Sequence, residues 1–491
     1  MTLTLQLGII VGYLLLALVI GLVAYRLTER TAEDFYLASR TFGTIVLLFT
    51  TFATLLSAFT FFAGPNVAYQ QGPEWVLVMG LMDGIIFAIL WYVIGYKQWL
   101  LGRQYDYVTL GEMLGDRFGA TWLRGLIAGI SLLWLFPYVM LQQVGAGTAL
   151  QALTEGAVPY AVGAGLITAF MILYVVVAGM RGIAWTDTIQ GAFMLVVTWV
   201  AMLWVLAAVG GPGVATAALE AEAAQHLALG SDHYTPQWML STAIVIGFGV
   251  AMFPQVNQRF FTAGSRTSFK RSFVLWPILC VLLFVPSFLL GAWALGLGIE
   301  ADIAGGDNVL PMILAEYTPV WFAALVIAGA MAAMMSSSDS MLLSGSSYFT
   351  RDLYRPFIDR TISERTEDLI ARIGVVVFAT ASFLASLWNP ATLFELGDAA
   401  FSGFAQLALP VMVALYWRRT TRAGITAGIL ASQLFYLSSL FLAVVPATYA
   451  GWSSGLVGMG LGLVVTVAVS LVTTPAADER EAIYFEGLGA D

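Results

Sequence analysis

The sequence predicts an all-α polytopic membrane protein with about thirteen transmembrane helices. Three observations predict it. Hydrophobic residues make up 59% of the chain, charged residues only 10%, and the mean hydropathy is +0.85, outside the balance of soluble domains. The apolar residues gather into runs, each near the ~20 residues that cross a hydrocarbon core. The basic residues between the runs fall on one side, as the positive-inside rule requires.

In order, the runs are 5–25, 43–69, 75–100, 121–153, 156–179, 185–210, 236–261, 272–297, 319–350, 368–388, 391–416, 423–446 and 451–473. The first lacks a basic flank and a small-residue cleavage site, so a cleavable signal peptide is not expected. With the N-terminus outside, Arg26, Arg30 and Arg40 follow the first run on the inner side, and Lys97, Arg103, Arg117 and Arg124 follow the third. Arg181 follows the fifth run, Arg259, Arg266, Lys270 and Arg271 the seventh, and Arg351 through Arg372 the ninth. Arg418, Arg419, Arg422 and Arg480 complete the 21 Lys and Arg and put the C-terminus in the cytoplasm. The opposite side carries acids alone: Glu74, Glu155, Glu220, Glu222, Asp232, Glu300, Asp302, Asp307 and Glu316. Inner segments 101–120 and 351–368 have room for surface helices, and the Ala/Glu-rich outer loop 211–235 for a short helix or cover.

Several chemistries are excluded. The single Cys280 sits inside an apolar run, leaving no disulfide or thiolate metal site. His226 and His233 share one outer loop, so no histidine stands at membrane depth. The two lysines follow Tyr96 and Phe269, so there is no Gly-Lys dipeptide and no Walker loop. An enzyme, a nucleotide-driven pump and a nucleic-acid partner are therefore not expected.

Polar features inside the runs point to transport. One run reads Phe52-Ala53-Thr54-Leu55-Leu56-Ser57-Ala58 and then Phe61-Phe62-Ala63-Gly64-Pro65; another reads Gly247 to Phe253 and then Pro254-Gln255-Val256-Asn257. Pro and Gly loosen the helical ladder, and freed backbone groups in corresponding spans of two halves mark transporter binding sites. Ordinary proline kinks fit the same residues. Asp187 stands at the edge of an apolar run, where a carboxylate costs a few kcal/mol unless it lines a pathway or caps a helix start. Ala333, Ser336, Ser337 and Ser340 share one helix face. Their oxygens suit a hard cation such as Na⁺, and their small size equally suits close helix packing.

These residues resemble the sodium/solute symporter family, and most closely its pantothenate and monocarboxylate branch. Its marks are Asp34-Phe35-Tyr36-Leu37-Ala38-Ser39-Arg40, Gly179 to Gln190, and Ser336 to Ser340 running into Arg351-Asp352-Leu353-Tyr354. The branch rests on Ser57-Ala58, Phe61, Gly64-Pro65, Ala68-Tyr69, Gly72 and Trp75-Val76. The resemblance implies a 5+5 inverted-repeat core of the leucine-transporter type. Residues 1–42 would form an extra helix and inner loop, 43–210 the first five-helix repeat, 211–235 an outer loop, 236–416 the second repeat, and 417–491 two further helices and an acidic cytoplasmic tail. It further implies Na⁺ held by the carbonyls of Ala53, Leu56 and Ala333 and the hydroxyls of Ser336 and Ser337. Asp187 would lie on the ion's exit route and Arg40 at the inner mouth, with Asp339 a third ionisable group on that pathway. Leu55 stands where proline carriers of the family have an aspartate.

The function expected is plasma-membrane uptake of a small organic solute, a carboxylate such as pantothenate or a monocarboxylate, driven by Na⁺ entry. Amino acid or sugar symport, proton coupling and a membrane sensor are the alternatives. No basic residue is expected near the midplane, so a carboxylate would meet freed backbone amides near Gly64 and Gly249, half-helix ends and Na⁺ itself. Ser57, Gln143, Gln255 and Asn257 are candidate polar contacts, and Phe61, Trp75 and Phe253 candidate walls.

Overall fold

A computed structural model describes residues 2–25, 32–228, 230, 233–388, 391–442, 444–475 and 484–485. Arg26, Arg30, Asp232 and Arg480 lie outside the described residues. Eleven helices are long and apolar enough to cross a membrane, and two bent helix pairs bring the spans to thirteen. In order they are Leu3–Val23, the pair Thr44–Leu55 and Phe59–Gln71, Val76–Tyr105, Thr121–Leu153, Tyr160–Val177, Gly179–Val209, the pair Pro236–Met252 and Pro254–Thr262, Arg266–Gly296, Val320–Phe357, Arg365–Ser386, Leu393–Tyr416, Arg422–Phe441 and Ser454–Val472. Each predicted run corresponds to one of them. Five spans fall within 43–210 and five within 236–416, and each set opens on a bent pair.

Burial separates core from periphery. In the ninth span, 83% of the most apolar stretch is buried, against 17% in the first and 33% in the last. The ninth span runs against lipid nowhere along its Ser/Ala-rich middle: every residue from Val326 to Ser347 is buried. Small residues there let neighbouring backbones approach closely.

The two ends of the bundle differ. At the basic end, Phe42 and Ala263 form an isolated parallel bridge, in which the Phe42 amide donates to the Thr262 carbonyl (3.1 Å) and the Gly264 amide to the Phe42 carbonyl (3.0 Å). That bridge joins the start of the second span to the end of the seventh. The helix Leu110–Arg117 lies at the same end, capped by Thr109, whose hydroxyl accepts the Glu112 amide. Glu112 in turn pairs with Arg351 (2.8 Å) and Arg124 (3.3 Å), and Arg124 with Asp352 (3.1 Å), so 101–120 and 351–368 are tied together by charge. At the acidic end, the loop after the sixth span folds as the helix Pro212–Ala223.

Two glycines mark backbone contacts between spans. A Cβ at Gly249 would come 2.2 Å from the Phe401 carbonyl oxygen, and one at Gly291 2.3 Å from that of Pro65. Gly249→Ala and Gly291→Ala are each expected to lower stability by about 1–3 kcal/mol through overpacking. Thermal melts in detergent read this directly, and an unchanged midpoint for both would contradict the contacts.

Candidate functional site

The second span bends by 64° and the seventh by 59°. In the second, the helix opens at Leu56–Ala58, inside the stretch from Phe52 to Pro65 expected to be interrupted. Ser57 drives the opening by accepting the Phe59 amide on its own Oγ (3.1 Å), while Gln142 Oε1 accepts the Ala58 amide (2.9 Å). Pro65 lies inside the renewed helix Phe59–Gln71, where the Ser287 hydroxyl donates to the Thr60 carbonyl (3.1 Å). Gly64 is not a free amide: it donates to the Phe59 carbonyl, and a Cβ there would lie 2.1 Å from the Phe288 ring. In the seventh span Phe253 is the break and Pro254 opens the next helix. Asn257 Nδ2 donates to the carbonyls of Ala251 (3.2 Å) and Phe253 (2.8 Å) at the break.

Asp187 lies more than two turns past the kink at Gly179 (φ 59°), fully buried, so the helix-start reading falls. Its Oδ2 accepts the Thr50 hydroxyl (2.6 Å) and the Arg259 guanidinium (2.8 Å), and its Oδ1 the Ser336 hydroxyl (2.5 Å). Arg259, expected among the basic residues of the inner side, is buried within the protein. It is 0% exposed and also donates to Thr50 Oγ1 (3.1 Å), the Gln255 carbonyl (3.2 Å) and Ser340 Oγ (2.7 Å). A buried guanidinium needs such a set of acceptors. The signal was present: Pro254 followed by Gln255, Asn257, Gln258 and Arg259 is too polar for a lipid-facing half-helix.

The five candidate cation ligands are all buried. Ser337 of the ninth span donates to the carbonyls of Thr54 (2.8 Å) and Leu56, both at the break of the second. Ala53 supplies a carbonyl to the Leu56 amide at 3.2 Å. Ser336, one residue away, points its proton at Asp187. The donor set is therefore hydroxyl and carbonyl oxygen, which suits a hard monovalent cation. Asp339 is buried on the same helix, and its Oδ1 has no hydrogen-bond partner among the described residues. Arg40 is apart from this cluster, at the basic end, where it donates to the Tyr107 (3.0 Å) and Phe261 (3.4 Å) carbonyls beside the Phe42 bridge. Asp34 pairs with Arg181 (2.5 Å), joining two of the sequence motifs.

Two cavities lie beside the second span. A cleft of about 490 Å³ opens at the acidic end, lined by Asn66, Thr148, Asp307, Phe394 and Glu395. A small chamber of about 30 Å³ lies beside the break, lined by Ser57, Asp83, Tyr138, Trp276 and Phe401 among others. Between them stands an aromatic layer in which Phe59 packs on Phe394 (5.8 Å) and Phe401 (5.2 Å). Of the predicted solute contacts, Ser57 lines the chamber, while Trp75 (5.9 Å from Phe394) and Phe253 (5.6 Å from Phe401) belong to the layer. Phe61 is buried but lines neither cavity. Gln255 is buried with both amide atoms unpartnered among the described residues. Gln143 turns away: its Nε2 donates to the Ala379 carbonyl (3.0 Å), and the neighbouring Gln142 serves the break instead. Gly249 is filled by the Phe401 backbone.

Thirteen spans, two of them broken and crossed by an oxygen-rich cluster, define a multi-pass membrane carrier of the leucine-transporter fold. The family model of the sodium:solute symporter family matches residues 35–432, and the chain belongs to that family. It is 30% identical to the sodium/pantothenate symporter of Escherichia coli (strain K12), across 93% of this chain and 97% of that one. It is 28% identical to the sodium/proline symporter of Haemophilus influenzae, across 85% and 84%. Its fold matches a substrate-bound, outward-open Na⁺-coupled sialic acid symporter with a TM-score of 0.81 at 21% identity, covering 96% of this chain and 98% of that one. The protein is thus a sodium-coupled solute symporter and not an enzyme.

Proposed function

We propose that the protein carries a small carboxylate-bearing organic solute into the cell with Na⁺, across the plasma membrane, with the N-terminus outside and the C-terminus in the cytoplasm. The pantothenate symporter among its relatives supports a carboxylate. The observation that carries the reading is Ser337, whose hydroxyl links the ninth span to carbonyls at the break of the second. Na⁺ held by Ala53, Leu56, Ala333, Ser336 and Ser337 ties the two repeats, 43–210 and 236–416, at that point. Asp187 and Asp339 line the ion's route toward Arg40. One charge crossing 100 mV supplies about 2.3 kcal/mol, and a tenfold Na⁺ gradient adds about 1.4 kcal/mol. Together these support solute accumulation of several hundredfold per ion.

Arg259 is occupied by Asp187 and the Gly64 amide by its own helix, so Na⁺ is the positive charge left for a carboxylate near the break. Carboxylate binding is therefore expected to weaken at least tenfold when Na⁺ is replaced by choline. Calorimetry on the purified protein checks this, and equal affinity in choline would overturn the reading. Uptake into proteoliposomes with and without a Na⁺ gradient tests the transport itself.

A further inference from the structure

Asp83 is the one carboxylate among the residues lining the small chamber, and no motif of the sequence singles it out as a ligand. It is 6% exposed, and its Oδ1 has no hydrogen-bond partner among the described residues. On one side Gly247 lets the seventh span pack closely against it, a Cβ there falling 3.3 Å from Oδ1 and 2.6 Å from Ile86. A carboxylate placed so deep is costly unless something pairs with it. The rest of the lining is apolar side chains, many of them aromatic, with the hydroxyls of Ser57, Thr60 and Tyr138. Phe87, one turn along the same helix, packs edge-on against Trp276 at 5.1 Å, and the Tyr138 hydroxyl donates to Ser57 Oγ (3.3 Å) across the chamber. Ring faces and an anion together are a setting for a cation. No Lys or Arg lines the chamber, so a second carboxylate brought beside Asp83 would meet repulsion.

We propose that Asp83 receives the protonated amine of the co-transported solute, so that the solute is a zwitterion of the amino acid type and not a simple monocarboxylate. This rests on the carboxylate reading above and adds the other end of the molecule: the carboxylate lies toward Na⁺ at Leu56 and the amine toward Asp83. The arrangement also explains why Asp83 stands between the two broken spans, where both repeats can close on it.

Discrimination is the measurable consequence. A site built to hydrogen-bond a donor rejects the analogue lacking it, because its own polar group is then left unpaired. The test is calorimetry on the full-length protein in Na⁺, with a pool of common amino acids against a pool of their deaminated counterparts (alanine against propionate, for example). Any amino acid that binds is then compared singly with its counterpart. The expected result is binding from the amine pool, a preference of a hundredfold or more within the matched pair, and loss of that preference in Asp83→Asn. Asp83→Glu, which keeps the charge, is expected to retain part of it. Na⁺-induced thermal stabilisation without solute should survive in both variants, which separates a misfolded variant from an informative one. Cys280, the single cysteine, lines the same chamber, so bound amine should slow its alkylation. Binding of the deaminated pool alone would leave the carboxylate reading standing and overturn this one. Equal binding within a pair, no binding from the amine pool, or a preference that persists in Asp83→Asn would overturn it as well.

Discussion

Replacing Arg259 with Leu is expected to destabilise the protein by about 3–5 kcal/mol and to abolish transport, the largest effect of any single substitution in the cluster. The cost comes less from the lost bond than from what remains. Asp187 would be left without its counter-charge at 0% exposure, with hydroxyls as its remaining donors. Asp187→Asn alone leaves the mirror defect, an unpaired guanidinium amid Thr50, Gln255 and Ser340. Removing both charges together should restore most of the stability, because the pair's desolvation cost disappears with it. A double-mutant cycle by thermal melts in detergent is expected to show a coupling of about 2 kcal/mol or more; strictly additive losses would mean the pair is not energetically joined. Stability and transport should then part company. The neutral pair folds, yet Ser336 has lost the anion that orients its hydroxyl, so Na⁺ dependence should remain impaired in uptake assays.

That ion pair also shows where reading the chain ran short. Hydropathy located all thirteen spans, because a run of about twenty apolar residues has few other ways to hide its backbone. It could not locate Arg259, since a basic residue closing an apolar run looks like an inner-face anchor until its partner is known. Asp187 is 72 residues away in sequence, and only the packing of the sixth, seventh and second spans brings the two together. The seventh-span break was legible because Pro254 announces it. The second-span break falls inside the stretch expected to be interrupted, but its exact place was not legible, because Ser57, a common residue, makes it with Gln142 arriving from the fourth span. Choosing Gln143 over Gln142 was an error of one residue, which on a helix is a turn of about 100° and a different neighbour. Ser336 and Ser337 were legible through their spacing, and the same spacing explains why they serve different partners, Asp187 and the Leu56 carbonyl.

Ser337→Ala should weaken apparent Na⁺ affinity tenfold or more, about 1.4 kcal/mol, while leaving solute affinity at saturating Na⁺ nearly unchanged. Without the ion, the Ser337 proton bridges the carbonyls of Thr54 and Leu56, so the hydroxyl holds the broken helix in place. In the proposed Na⁺ site, the Leu56 carbonyl and Oγ itself would turn to the ion, and the link would pass from a proton to a cation. Alanine removes both, so the ion must bind with one ligand fewer and to a looser break. Ser337→Thr keeps the oxygen and should be milder. Ser336→Ala should weaken Na⁺ as well and also deprive Asp187 of its Oδ1 donor, so it should lose stability where Ser337→Ala does not. Ligand linkage supplies the readout: at a fixed excess of Na⁺, a tenfold rise in Kd removes about 1.4 kcal/mol of ion-induced stabilisation. Thermal melts across a Na⁺ series, with choline keeping ionic strength constant, measure that difference for each variant. An unaltered Na⁺ response in both alanine variants would move the ion away from the break, and with it the point at which solute and Na⁺ are coupled.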